Sequence, residues 1–265
     1  GGSDKRDPGV EEIGGVKVRK KTRMMTYLFM GIDSSEKRSE QAGGGQCDTL
    51  RLLVIDQNMD TIATVPINRD MYVEMDLLDE NGKKQGRGEM QICLSHAQGK
   101  GDEKSCENTV KAIEDFLGIE ITGYAAVNMD AIGTLNNLAG GVEVTLEDDF
   151  TASDAAMKKG ATLTLTDRQA EIFCRGRMEV GDGTNESRMR RQETYLNGLQ
   201  KNLKEKIAGS ESFAQKIFDN MAPYMVTNLT GKDVSKLAKA VLKNEDMGRF
   251  EITGRSEMDE YDYMA

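Results

Sequence analysis

The segment "DTLRLLVIDQNMDTIATVPI" at residues 48–67 gives a strong indication of β-structure. It holds two runs rich in aliphatic and β-branched residues, 48–56 and 60–67, connected through the short polar segment QNMD. This pattern is typical of two strands joined by a hairpin turn. A third apolar run, TYLFMGID at 26–33, precedes them and has the composition of a buried strand. The three runs predict the centre of one β-sheet.

Helical and strand patterns alternate through the rest of the chain. Helices are predicted at 105–118 with Ser105 as the N-cap, at 130–141, from Thr166 onward, from Ser187 onward, and near 211–221 and 231–243. Further strands are predicted at 124–129, 142–146 and 249–253, and residues 34–46 and 77–89 form polar or turn-rich loops. This alternation predicts an α/β fold, a single three-layer α-β-α domain with a central mixed β-sheet.

The domain is predicted to span 26–252, since no linker or second core divides that region. Residues 1–25 are polar and basic and are interpreted as an N-terminal tether. Its first residues, GGSDKRDP, are typical of the remainder of an expression tag or of a trimmed end. Residues 253–265 form an acidic tail that is predicted to be disordered.

Composition limits the classes of function. The 265-residue chain has a net charge of −10, no tryptophan and 5% aromatic residues, which argues against nucleic-acid binding. The four cysteines include no CxxC pair and the single histidine, His96, has no partner motif, so a zinc site is not expected. Any site for a phosphate must therefore be a local concentration of positive charge.

Such a concentration lies in "CRGRMEVGDGTNESRMRRQ" at 174–192, which holds five of the fifteen arginines. The helix from Ser187 carries an apolar stripe of leucines at 196, 199 and 203, and extending that stripe backwards reaches Gln192 and Arg188. A buried guanidinium requires an acid or an anionic ligand as its partner. The alternative to a ligand is an internal salt bridge, with Asp182 or Glu186 nearest in sequence.

The other arginines of this stretch have different expected roles. Arg190 points away from the leucine stripe and is interpreted as surface charge, while Arg191 is intermediate. Arg175 and Arg177 end the preceding helix, where Gly176 lets the chain leave the helix so that both side chains can act together. Several guanidinium forks beside a helix N-terminus suit a phosphate or diphosphate.

Three acids lie at predicted strand ends: Asp33, Asp48 and Asp70, the last beside Arg69. Each alone is typical of a turn residue that caps its own backbone. Together with the arginine cluster they suit Mg²⁺, which prefers oxygen ligands. With no nucleophile motif or P-loop in the chain, the residues favour phosphoryl transfer by positioning and electrostatics.

The segments "YLFMGID", "CDTLRLLVID", "VPINRDMYVE", "LNNLAGGVEV", "TDRQAEIFCRGRM" and "RMRRQ" resemble, in order and spacing, the LytR-CpsA-Psr family over residues 26 to 208. The resemblance implies a membrane-anchored extracytoplasmic bacterial enzyme. Such an enzyme transfers a glycopolymer, for example teichoic acid or capsular polysaccharide, from a polyprenyl-diphosphate carrier to peptidoglycan. It also implies an N-terminal membrane helix that this chain lacks.

The resemblance implies roles residue by residue. Asp33 and Asp48 would hold Mg²⁺ or Mn²⁺, and Asp182 would assist or deprotonate the acceptor hydroxyl. The diphosphate would be bound by Arg69, Arg175, Arg177 and Arg188 with support from Gln192, and Arg69, Arg175 and Arg177 would act in catalysis.

The chain departs from the family pattern at two places. Gln46 and Cys47 stand where the family often has arginine and serine, so Arg38 of the glycine-rich loop is expected to supply the missing cation. Gln91 and Cys93 belong to a segment that in the family usually provides lysine and asparagine.

Several alternatives stay open. Extracytoplasmic placement would favour a disulfide between Cys93 and Cys106, whereas the alternative is four buried or reduced thiols. Hydrolysis of the diphosphate would use the same arginines and metal. A non-catalytic wall-associated binding or regulatory module of the same fold is the third alternative.

Overall fold

The computed structural model describes residues 10–13, 16–19, 23–33, 43–176, 181 and 183–252. The strands within these residues are β1 (Val10–Ile13), β2 (Val16–Arg19), β3 (Met24–Asp33), β4 (Gln46–Asp56), β5 (Thr61–Ile67), β6 (Tyr72–Leu78), β7 (Lys84–Gln91), β8 (Gly123–Asn128), β9 (Glu143–Thr145), β10 (Thr162–Thr164), β11 (Met225–Thr227) and β12 (Glu245–Arg249). The α-helices are α1 (Glu103–Leu117), α2 (Ile132–Ala139), α3 (Asp167–Arg175), α4 (Asn185–Gly209), α5 (Phe213–Met221) and α6 (Gly231–Lys243).

The predicted mixed sheet is confirmed. Six strands form it in the order β11-β8-β3-β4-β5-β12. The hairpin read from 48–67 is present, since β4 pairs antiparallel with both β3 and β5. Strand β8 runs parallel to β3, and β12 runs parallel to β5. As a result β3 and β8 end, and β4 begins, at the same end of the sheet, which we call the site end.

The register of β3 and β4 contains a bulge at the site end. Gly31 pairs with Thr49 and Ile32 pairs with Cys47, so Asp48 is an extra residue in β4. Bulges re-aim side chains. Here the bulge places Cys47 in the core on the same face as Leu50. Asp48, the extra residue, lies between Cys47 and Thr49 at the site end.

Different elements cover the two faces of the sheet. Helix α1 and the β6–β7 hairpin contribute buried residues to the core on one face, where Ile113, Met75 and Leu50 belong to one hydrophobic cluster. The other face is covered by helices, and the leucine stripe of α4 is half-buried or buried there. The predicted layers are thus present, with a hairpin sharing one layer with a helix.

Local details correct several sequence-based boundaries. Helix α1 begins at Glu103 because the side chain of Asp102, and not that of Ser105, caps it by accepting a hydrogen bond from Lys104 N at 3.2 Å. The turn-rich segment 77–89 belongs to the β6–β7 hairpin. The last strand is Glu245–Arg249 rather than 249–253.

The predicted N-terminal tether contains local structure. Strands β1 and β2 pair antiparallel within residues 10–19, a hairpin that the polar, basic composition did not indicate. The predicted disordered tail at 253–265 lies outside the described residues. Across the described part of the chain, no helix combines the length and apolar character that a bilayer crossing requires.

His96 connects the glycine-rich turn at 43–45 to the loop before α1. Its ring is buried, with Nδ1 3.0 Å from the carbonyl oxygen of Gly45 and Nε2 3.6 Å from the thiol of Cys106. Burial lowers the pKa of the imidazole, against the opposing effect of the nearby backbone. His96 is therefore a buried structural residue that joins two loops.

The lowered pKa of His96 predicts a pH dependence of stability. Because the folded state favours the neutral ring, the unfolded chain binds the proton more tightly, and the free energy of unfolding should fall as pH drops below about 6.5. His96→Asn keeps a hydrogen-bond donor for the carbonyl oxygen of Gly45 but has no group that titrates in this range. In this variant the decrease in unfolding free energy that His96 causes between pH 6.5 and 5 should be absent. Urea unfolding at several pH values measures the slope, and an unchanged slope in the variant would contradict the assignment.

Gly31 is required at the bulge by close contact. A Cβ atom on this residue would lie 2.2 Å from Thr49 Oγ1. We expect Gly31→Ala to lower the free energy of unfolding by about 1–3 kcal/mol through overpacking. Adding Thr49→Ala should recover most of that loss because the clashing hydroxyl is removed.

The matched control is Gly86→Ala, since no atom lies within 4 Å of a Cβ built there. Its effect should stay within about 0.5 kcal/mol in the same chemical denaturation measurement. Equal losses in the two alanine variants, or no recovery in the double variant, would show that the contact with Thr49 is not the cause.

Candidate functional site

Two buried charges of opposite sign meet at the site end of the sheet. Asp48 is supplied by the β4 bulge, and Arg69 follows β5. Arg69 Nη1 donates to Asp48 Oδ1, and both residues are over nine-tenths buried. Burial alone would lower the pKa of the guanidinium, but Asp48 and other nearby groups outweigh this effect and raise it. Arg69 is therefore a permanent cation in this site.

Arg69 has further neighbours that fix its plane. Its Nη2 donates to Gln46 Oε1 at 2.8 Å and contacts Cys93 Sγ at 3.4 Å. Its Nε lies 3.6 Å from Asp70 Oδ1, and Asp70 also accepts from Gln91 at 3.4 Å. Gln46 and Cys93, two of the departures from the family pattern, thus both contact the same guanidinium.

Arg188 brings a second buried cation to the same place. It lies in the first turns of α4, and its Nη2 is 3.3 Å from Asp48 Oδ2 while its Nη1 is 3.9 Å from Asp33 Oδ2. The inward orientation inferred from the leucine stripe is confirmed, since Arg188 is 4% exposed. The acids beside it are the two strand-end aspartates, whereas Glu186 lies beside Arg190.

Four formal charges are therefore concentrated at the site end: Asp33, Asp48, Arg69 and Arg188. All four are over nine-tenths buried, and their charges sum to zero. Burial of ionic groups at this density is costly unless each is paired and hydrogen-bonded. Such a cluster can exchange partners with an anionic ligand, because a diphosphate offers the guanidinium forks more acceptors than a carboxylate does.

Gln192 and Arg191 hold the junction between α3 and α4. Gln192 Nε2 donates to the carbonyl oxygen of Cys174 at 3.1 Å. Arg191 donates from Nε to the carbonyl oxygen of Phe173 at 3.2 Å, and from Nη2 to that of Gly176. The end of α3, which carries Arg175, is thus fastened to the first turns of α4.

Arg191 is the residue that the sequence analysis missed. It is 7% exposed, its Nη1 lies 3.3 Å from Asp148 Oδ2, and its guanidinium stacks over Phe150 with 5.5 Å to the ring centroid. In the sequence analysis, helical periodicity placed Arg191 between the buried and the exposed face of α4. Its partners are mainly backbone carbonyls, which leave no signal in the sequence.

Arg175 is the outermost of the described arginines with a predicted role. It ends α3, is partly exposed, and its Nη1 lies 2.7 Å from Asp130 Oδ1. Asp130 follows β8, whose last residue pairs with Ile32 of β3. Arg175 therefore belongs to the same end of the sheet but to its rim, and it makes no described contact with Arg69 or Arg188. Arg38, Arg177 and Asp182 lie outside the described residues.

The structure does not form the disulfide between Cys93 and Cys106. All four cysteines are free and buried. Cys93 faces Arg69, whereas Cys106 faces His96 at 3.6 Å, so the two thiols have different partners. Burial raises the pKa of Cys106 to about 12, which makes it an unreactive thiol at neutral pH.

An apolar cavity begins beside the charged cluster. Its upper chamber, about 140 Å³, lies between the sheet and helices α2 and α4 and is lined by Gly31, Thr49 and Gln192 among mostly apolar side chains. A lower chamber of about 270 Å³ continues between the sheet and α4. The two chambers share four lining residues: Phe29, Arg51, Leu196 and Leu199.

The donor set at the cluster was tested against the expected Mg²⁺. Asp33 and Asp48 provide carboxylate oxygens, the ligand type that Mg²⁺ prefers. No group of three or more His, Cys, Asp or Glu side chains in the described ranges is arranged to hold a metal. Because Arg69 and Arg188 already neutralise the two acids, the site suits a divalent cation that arrives with an anionic ligand. Mg²⁺ is commonly bound in this way, through one or two carboxylates plus substrate phosphates.

The neighbouring residues Arg190 and Arg191 allow a matched test of the junction. Arg191→Met should lower the free energy of unfolding by about 3–5 kcal/mol, because it removes a buried cation from Asp148 and from two carbonyls. Arg190 is 60% exposed in its side chain, and Arg190→Met should change stability by no more than about 0.5 kcal/mol. Chemical denaturation of the two variants provides the comparison. Similar losses in both would contradict a structural role specific to Arg191.

Comparison with known proteins gives the same family as the sequence motifs. The model of the LytR_cpsA_psr family matches residues 3–265. The chain is 28% identical over 246 residues to a Bacillus cereus protein (strain AH820) named polyisoprenyl-teichoic acid–peptidoglycan teichoic acid transferase TagU. That alignment covers 91% of this chain and 73% of the relative.

Solved structures share the fold. Protein gbs0355 from Streptococcus agalactiae superposes with a TM-score of 0.65 at 22% identity, over 88% of this chain and 78% of that one. TagT from Bacillus subtilis superposes with a TM-score of 0.61 at 21% identity, over 92% of this chain and 84% of that one. With its motifs, its mixed sheet and a family match over nearly its whole length, the chain belongs to the LytR-CpsA-Psr family.

Proposed function

We propose that this protein is a phosphotransferase that moves a glycopolymer from a polyprenyl-diphosphate carrier to peptidoglycan. The relatives named as teichoic acid transferases support the reaction class. The observation that carries the proposal is the buried cluster of two arginines and two aspartates at the head of an apolar cavity. A carrier lipid has the same two parts, a diphosphate joined to an apolar chain.

The arginines would bind the diphosphate. Arg69 and Arg188 are held in fixed planes by their present partners, so little side-chain entropy is lost when a phosphate replaces a carboxylate. Arg175 at the rim would add positive charge toward the solvent side, and Arg177 and Arg38 are proposed as further ligands of the diphosphate. Gln192, which lines the cavity and holds the end of α3, would position Arg175.

Asp33 and Asp48 would hold Mg²⁺ or Mn²⁺ at the diphosphate. When bound, the cation would neutralise charge on the phosphate oxygens during transfer. The charge balance explains why the four groups are kept together: the diphosphate engages the arginines, and the carboxylates thereby released from them carry negative charge that a cation can neutralise.

The transfer exchanges one phosphorus–oxygen bond for another. The acceptor hydroxyl oxygen of peptidoglycan attacks the phosphorus that bears the glycopolymer, and the bond from that phosphorus to the bridging oxygen breaks. Polyprenyl monophosphate leaves, and the hydroxyl proton passes to a base, for which Asp182 is our candidate. Arg69 and Arg188 would stabilise the charge that develops on the leaving phosphate.

The apolar cavity would receive the beginning of the polyprenyl chain. Most of its lining residues have apolar side chains, leucine above all, which favour a hydrocarbon over water. With a lipid carrier as donor and a wall polymer as acceptor, the protein would act on the outer face of the cell membrane. An N-terminal membrane anchor is part of this proposal.

Arg188→Lys and Arg190→Lys form a matched pair for testing the site. Lysine keeps the charge but loses the fork, so Arg188→Lys should lower the rate of transfer by about 10²–10³-fold. Arg190→Lys changes an exposed residue of the same turn and should leave the rate within about twofold. The assay combines a polyprenyl-diphosphate saccharide, peptidoglycan oligomers and Mg²⁺, with products followed by mass spectrometry.

The products separate the proposed reaction from its alternatives. A covalent glycan–peptidoglycan product that is lost on chelation by EDTA and restored by Mg²⁺ supports metal-assisted transfer. Release of phosphorylated glycan without coupling to peptidoglycan would indicate a diphosphate hydrolase. Absence of turnover, with lipid binding unchanged in Arg188→Lys, would indicate a binding module.

A further inference from the structure

The apolar cavity reaches the protein surface at a second place, far from the charged cluster. A groove there is lined by Asn197, Lys201 and Arg249 among other residues. The groove and the lower chamber share four lining residues: Thr64, Gln200, Lys204 and Asp246. Upper chamber, lower chamber and groove thus form one continuous series along the sheet.

The strand register gives the length of this series. The upper chamber begins at Thr49, and the lower chamber reaches Ile62, which pairs with Ile55 of β4. From Thr49 to Ile55 the strand advances about 20 Å at about 3.3 Å per residue. A carrier with many isoprene units is longer than this when extended, so its distal end must leave the cavity or fold back inside it.

Two ion pairs join α4 to β12 at the second opening, which we call the distal mouth. Arg249 Nη1 lies 2.6 Å from Glu193 Oε1, and Lys204 with Asp246 forms the pair that lines both the lower chamber and the groove. Lys204 Nζ of α4 lies 2.9 Å from Asp246 Oδ2 of β12. Both side chains are more than one-third exposed, at 37% and 44%. Ion pairs at this exposure contribute little to stability and reopen readily. The pair can therefore separate without disturbing the core.

The groove at the distal mouth is lined by polar and charged residues and Gly248, and the aliphatic stems of its lysines and arginine can lie along a hydrocarbon while their charges stay in water. Strand β12 lies at the edge of the sheet, and the side chains of Met247 and Phe250 on this strand and just after it are 50% and 52% exposed. The other described pocket near this end of the sheet contains Arg23, Lys236 and Lys243, and it shares no lining residue with either chamber. Of these two pockets, the groove beside β12 is therefore the one that continues the series of chambers.

We propose that the distal mouth at Lys204 and Asp246 is an exit for the far end of the polyprenyl chain. The chain would enter beside the charged cluster, pass Phe29 and Leu199, and leave between α4 and β12. The protein would in this way accept carriers longer than its cavity, and the bound lipid could keep its far end in a bilayer. This inference rests on the proposed function, since it takes the cavity to be the lipid site.

Lys204→Trp tests the exit, because the natural chain contains no tryptophan and the introduced indole serves both as an obstruction and as a reporter. Farnesyl diphosphate is short enough to end inside the cavity, whereas undecaprenyl diphosphate would have to pass the mouth. We expect the substitution to weaken binding of the long lipid by at least about tenfold, because apolar chain segments lose their buried path. Affinity for farnesyl diphosphate should change by less than about twofold.

The control is Lys206→Trp, in the same helix. Lys206 is exposed, lies near Gly140 and lines neither chamber nor groove. Binding is measured by calorimetry with detergent-dispersed lipids, and indole emission is recorded in parallel. The long lipid should shift the emission of Lys204→Trp to shorter wavelength, while the short lipid, and either lipid with Lys206→Trp, should not. Asp246→Trp approaches the mouth from β12 and repeats the test if Lys204→Trp does not fold.

The outcomes separate this inference from the function on which it rests. If the unsubstituted protein binds both lipids but Lys204→Trp affects them equally, or if emission does not respond to the long lipid, the exit is wrong and the lipid site stands. If the unsubstituted protein binds neither lipid, the proposed function and the exit both fail. Selective loss of the long lipid with an emission shift supports the exit.

Discussion

The burial of Arg69 and Arg188 against Asp33 and Asp48 is the constraint on which the arrangement of this protein depends. A guanidinium that is shielded from water must meet an acceptor with the correct geometry, so each of the four residues restricts the position of the others. This requirement fixes the end of β3, the start of β4, the residue after β5 and the first turns of α4 at one place. The proposed site for an anionic ligand and this buried ionic contact of the fold are therefore the same group of atoms.

The departures from the family pattern are explained by their common neighbour. Gln46 and Cys93 both contact Arg69, one through an amide oxygen and the other through a thiol. An arginine at position 46 would bring a second cation to Arg69, whereas glutamine supplies an acceptor. This point of the site thus has less positive charge than it would have with an arginine, and Arg69 gains an acceptor. The two changes belong to one local rearrangement of polar contacts.

Much of this arrangement could be predicted from the sequence, because it follows from periodicity. The leucine stripe of α4 oriented Arg188 and Gln192 correctly, and the ends of apolar runs located Asp33 and Asp48. Sequence periodicity gave no indication of a side chain's role where that side chain binds backbone atoms. Arg191 binds carbonyl oxygens of α3, and its role depends on how two helices meet. The β6–β7 hairpin was missed because β7 and the turn before it hold three glycines and two lysines. The disulfide between Cys93 and Cys106 was expected from extracytoplasmic placement, whereas the two thiols face different neighbours.

The bulge at Asp48 has a consequence for how this protein can vary. Substitution at a bulge changes one side chain, but loss of a residue changes the parity of the strand. If β4 lost Asp48, its side chains would alternate regularly between the two faces of the sheet. Cys47, which packs in the core, would then directly precede Thr49. The charged cluster would lose the carboxylate of Asp48 in a single event. Descendants of this gene can therefore exchange residues in β4 far more freely than they can change its length.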